Sequence, residues 1–135
     1  KRGMGYSLNQ VGKAHYKTGD YEHAVEYLEK SLAIQKEIEK KDLEFYTSIY
    51  LYLSYKHLGK DYDVKKIHSL IKETENIEFK LNLLLYELLD EKTYLESAYN
   101  QVQERASAME EELEKTFLSY PIPKAIVEEW EKLTP

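Results

Sequence analysis

The chain has 135 residues, 42% hydrophobic and 33% charged, which fits one folded, helix-rich domain and leaves no room for a separate catalytic one. A formal net charge of −6 excludes direct grip on a nucleic-acid backbone by this segment, because that affinity draws on clustered Lys and Arg. The absence of cysteine excludes disulfides and thiolate metal sites and is compatible with a cytoplasmic location, and no apolar run approaches the roughly 18 residues of a membrane span.

The first predicted helix runs over 5–18 and the second over 21–40, joined at Gly19-Asp20. Glycine can take the left-handed backbone that ends a helix, and the Asp20 carboxylate can accept from the free amides of the next one. Gly12 and Ala24 let the two helices approach closely, with Leu8, Val11, Tyr21, Leu28 and Leu32 filling the space around that contact. Leu8, Val11-Gly12, His15, Ala24 and Leu28 fall in the spacing W-x2-L-G-x2-Y followed by A-x3-F, and over this stretch the chain resembles the tetratricopeptide repeat family. His15 and Ser31 stand where that family usually has an aromatic and an alanine. The resemblance implies an all-α fold, a right-handed superhelical stack of antiparallel helix hairpins. It also implies a non-catalytic function, in which the first helices of the hairpins line a concave groove for a protein or peptide partner.

Asp42 is the expected cap of helix three, over 42–58. Leu43, Phe45, Ile49, Leu51, Leu53 and Tyr55 make that helix apolar nearly all round, which predicts burial on both flanks. Helix four, over 62–75, carries Val64, Ile67 and Ile71 and completes a second repeat over 42–75. Its Gly59 follows Gly19 by forty positions, longer than the usual period of roughly 34. Val64 and Tyr52 replace the small Ala24 and Gly12 of the first unit.

A degenerate third repeat is expected over 77–118, with a short helix over 77–90 and a long one over 93–118 launched by a capping box at Thr93 and Glu96. Its seam of Leu95, Ala98, Val102, Ala106, Met109, Leu113 and Phe117 would stay on one face for roughly 37 Å. Pro121-Ile122-Pro123 then folds back a capping helix over 123–133, which offers Ile126, Trp130 and Leu133 to the seam. The expected whole is a single domain over 1–135, with three hairpins and a cap. The alternative use of the seam is to pair across a two-fold axis in a homodimer.

His15, His23, His57 and His68 include no pair at the three- or four-residue spacing that sets two ligands on one helix face. With no HExxH, Gly-rich phosphate loop or GxSxG elbow either, no enzyme, metal or cofactor is expected. The run Glu110-Glu111-Glu112 with Glu114 reads as a solvated helix face. By the resemblance, Tyr6, Asn9, Gln10, Lys13, Tyr16 and Lys17 of helix one, with Tyr46 and Tyr50 of helix three, map to the groove. Asn and Gln can bond an extended peptide, Lys can meet a carboxylate, and Tyr joins an apolar ring to a hydroxyl at low entropic cost. The forty-residue spacing, and the tail around Leu113, Phe117-Leu118 and Pro121, resemble peptide-sensing portions of bacterial transcription regulators. Lys1 opens directly into repeat pattern, which predicts a piece of a longer protein, with neighbours upstream.

Overall fold

A computed structural model describes the backbone of residues 2–134 and the side chains of residues 8–134. Among the described residues there are eight α-helices and no strand: α1 Arg2–Lys17, α2 Tyr21–Glu37, α3 Lys41–His57, α4 Val64–Glu73, α5 Phe79–Leu89, α6 Lys92–Ser107, α7 Glu111–Ser119 and α8 Pro121–Leu133. They fall into two compact units, Lys1–Glu75 and Asn76–Pro135.

In the first unit α2 packs on both α1 and α3. Gly19 ends α1 at φ +85°, the Asp20 amide donates to the His15 carbonyl at 2.9 Å, and the Asp20 carboxylate accepts from the His23 amide. The tight contact at Gly12 is with Leu28, one turn beyond Ala24: a Cβ built on Gly12 would lie 2.6 Å from Leu28 Cγ. Ala24 and Leu28 are fully buried, whereas Val11, expected to fill this space, is exposed. Ser31 is buried too, and its hydroxyl accepts from the Gln35 amide at 3.0 Å.

Helix α3 is buried on nearly every side, through Phe45, Ile49, Tyr50, Leu51, Tyr52 and Leu53 together with Glu44, Thr47, Ser48 and Ser54. That agrees with its all-round apolar pattern. Its start differs from expectation, since Lys40 occupies the cap position without a side-chain bond and Asp42 lies inside the first turn. The α2–α3 link closes earlier than expected because Glu39 takes the left-handed region at φ +53°. Helix α4 is opened by Asp63, whose carboxylate accepts from the Lys66 amide at 3.0 Å, and it buries Ile67 and Leu70.

In the second unit α5 and α6 form a hairpin turned at Asp90, φ +56°. Two expectations fail here. The capping box is absent, because Glu91 stands at the cap of α6 without a side-chain bond and Thr93 is already within the helix. The long helix is also broken: α6 ends at Ser107, Glu110 is extended, and α7 restarts at Glu111. The break puts Glu111, Glu112 and Glu114 in the first turn of a helix, where the unpaired amides favour negative charge. It also lets Phe117 turn into the core formed by Leu95, Ala98, Val102, Ala106 and Ile126. The seam is thus largely packed within its own unit, while Leu113 stays exposed. Pro121 opens α8, which packs on α6 and α7 through Ile126 and Trp130, with Leu133 left outside.

Candidate functional site

The face shared by α1 and α3 carries a continuous aromatic cluster. Tyr46 meets Tyr50 at 5.1 Å between ring centroids, Tyr50 meets Tyr16 at 5.3 Å edge to face, and Tyr16 reaches Tyr21 at 5.6 Å. Tyr21 in turn stacks on His57 at 4.3 Å with the rings parallel. Lys13 Nζ donates to the Tyr46 hydroxyl and lies 5.6 Å from the Tyr50 ring centroid. An ammonium held among tyrosine rings and a hydroxyl has lost part of its freedom before any ligand arrives, so it is positioned to receive an acceptor.

The structure therefore brings Lys13, Tyr16, Tyr46 and Tyr50 together. Gln10 and Lys17 are exposed on the same helix. Two expected contact residues are placed differently: Asn9 is buried and its carbonyl accepts from Thr47 at 3.0 Å, and Tyr50 is buried with 2% exposure. Both fill the contact between α1 and α3 beneath the surface. Tyr6 lies outside the described side chains. Tyr21 and His57 were missed, although His57 falls seven residues after Tyr50, on the same helical stripe.

At the turn of the first hairpin, His15 and His23 converge on Asp20. Asp20 Oδ2 lies 2.7 Å from His23 Nδ1 and 3.5 Å from His15 Nδ1, and the two rings are 5.3 Å apart. The hydrogen bond from His23 holds the Asp20 carboxyl below the usual carboxylate range. His15 also stacks on Tyr27 at 5.5 Å, keeping the packing role of the aromatic it replaces. Same-helix spacing could not reveal this pair, because its members sit on different helices. The detectable signal is His at i, Asp at i+5 and His at i+8 around a glycine turn.

In the second unit an open cavity of about 500 Å³ is lined by Glu78, Phe79, Gln101, Glu104, Arg105 and Met109 among others. The Arg105 guanidinium lies 5.2 Å from the Phe79 ring centroid. No helix among the described residues is long and apolar enough to cross a membrane.

Residues 5–42 match the family model described as Tetratricopeptide repeat. No curated protein and no solved structure matches the chain. Repeats of this family are in general non-catalytic modules of protein–protein interaction. With Gly12 seated on Leu28, Gly19 ending one helix and Asp20 opening the next, residues 5–42 have the hairpin geometry that goes with the tetratricopeptide repeat model they match.

Proposed function

We propose that the first unit binds an extended protein or peptide segment on the face that α1 and α3 share. Gln10, Lys13 and Lys17 supply polar contacts, with Tyr16 and Tyr46 as the apolar wall. Tyr6 is included at the start of the same helix. Asn9 and Tyr50 act from below, Asn9 by fixing α3 through Thr47 and Tyr50 by supporting the rings of Tyr16 and Tyr46. The observation that carries this is the position of Lys13, an ammonium set against two tyrosine rings and a hydroxyl beside exposed Lys17. Such a set favours a ligand with a carboxylate next to an apolar side chain.

A library of short peptides ending in acidic and apolar residues, read by fluorescence polarisation, tests the proposal. Binders should shift the amide resonances of Gln10, Lys13, Lys17 and Tyr46. Lys13→Ala with Lys17→Ala should weaken them by about tenfold or more, since each charged contact contributes roughly 1 kcal/mol. Asn9→Ala is a poor probe, because it would remove a buried bond and disturb the helix pair. Equal affinity of the double variant and the parent would move the binding surface elsewhere. Sensing of a signalling peptide by a regulatory protein is the finer form of this proposal and rests on the family resemblance alone. A homodimer through 93–118 would use the exposed Leu113.

A further inference from the structure

We propose that His15, Asp20 and His23 form a binding site for one divalent transition-metal ion of the zinc class. One donor atom from each lies within 4.8 Å of the other two. Bonds of about 2.0–2.2 Å around such an ion leave neighbouring donors roughly 3.0–3.5 Å apart. The two histidine–carboxylate pairs, at 2.7 and 3.5 Å, bracket that range, and side-chain rotation brings the two histidine donors, within 4.8 Å of each other, into it. The three side chains are 34%, 42% and 58% exposed, which leaves them room to rotate and leaves the outer positions of the ion to water.

Chemistry narrows the class of ion. Two imidazoles and one carboxylate suit zinc, nickel, cobalt or copper, whereas magnesium and calcium ask for oxygen alone. The exchange on binding is simple: where a ring presents Nδ1 to the ion, its proton moves to Nε2 and the freed lone pair coordinates. The carboxylate of Asp20 gives up its bond from His23 and takes the ion instead.

The placement also assigns an effect. His15 lies in the last turn of α1, Asp20 caps α2, and His23 lies in the first turn of α2. A bound ion would tie the two helices across the glycine turn and stabilise the hairpin by binding the folded form alone. Stacking on Tyr27 restrains the His15 ring, which limits the freedom lost on coordination. The site does not depend on partner binding.

The test is a titration of the chelator-treated chain with zinc chloride in a non-coordinating buffer, followed by calorimetry and by imidazole proton resonances. One ion per chain is expected, with His15 and His23 shifting while His57 and His68 stay in place. The melting temperature should rise by roughly 4 °C or more at saturating zinc. His23→Ala and Asp20→Asn should each weaken binding by about tenfold or more, asparagine being as good a helix cap as aspartate. His15→Phe should do the same while circular dichroism stays unchanged, because phenylalanine keeps the ring stack. Binding that survives both His23→Ala and His15→Phe, shifts confined to His57 or His68, an equal response to magnesium chloride, or no uptake at about millimolar zinc would overturn the proposal.

Discussion

The first hairpin closes on a missing side chain, whereas the hairpin of α5 and α6 closes on a polar brace. Leu28 occupies the space a Cβ on Gly12 would need, and the turn that follows belongs to Gly19. In the second unit the turn is made by Asp90. At the far end Asn82 donates to Gln101 at 3.0 Å and to the Ile77 carbonyl at 3.1 Å, and Gln101 donates to the same carbonyl at 2.7 Å. Steric permission thus marks the contact in one pair, and part-buried hydrogen bonds brace the apolar contact in the other. A signature built on small residues registers the first and passes over the second.

The sharpest way to break this contrast is Gly12→Val. Its branched side chain would meet Leu28 Cγ, and also the Leu28 backbone nitrogen that lies 3.2 Å from the built Cβ. The expected loss is about 3 kcal/mol in urea denaturation. A loss near zero would mean that α1 and α2 can separate freely, and the steric account would fail.

A smaller effect is expected from the brace. Asn82→Leu should cost about 1–2 kcal/mol, since it removes two donated bonds from a buried site while Gln101 still satisfies the Ile77 carbonyl. Gln101→Leu should cost a similar amount, and the pair together less than the sum, because they share one partner. Strict additivity in that cycle would show that the three groups do not act as a unit.

The smallest effect expected is on the alkaline side. Burial first, and then the bond that its hydroxyl donates to Glu29 at 2.5 Å, hold the Tyr55 hydroxyl well above the ordinary value of 10.0. Burial also raises Tyr52 in the same unit and Tyr86 and Tyr94 in the other. The folded form therefore keeps protons that the unfolded chain releases above about pH 10, so stability is full below that pH and falls as it is passed. Tyr55→Phe should flatten this decline in denaturation curves recorded between about pH 9 and 11. An unchanged slope would place the loss on the other tyrosines.

Much of the fold was legible from particular residues. Gly19-Asp20 marked the first turn, the surplus of apolar residues in α3 marked a helix buried on both flanks, and Pro121 marked the final corner. The break after α6 was not legible. An alternation of threes and fours from Leu95 to Phe117 continues without fault through Met109, and nothing local to Ala108 forbids a helix. The candidate site was legible in part. Tyr16, Tyr46, Tyr50 and Lys13 were named from the repeat pattern, but the burial of Asn9 and Tyr50 was hidden, since it depends on Thr47 and on neighbouring rings remote in the chain.

By itself the sequence determined helix against strand, the first repeat and the places where the chain must turn, because glycine, proline, capping aspartate and apolar spacing act within a few residues. Tertiary structure alone decided which polar side chains would be spent inside, where the acidic run would open a helix, and that two histidines eight positions apart would share one carboxylate. Those outcomes turn on contacts between side chains carried by different helices, whose free energies no local preference encodes.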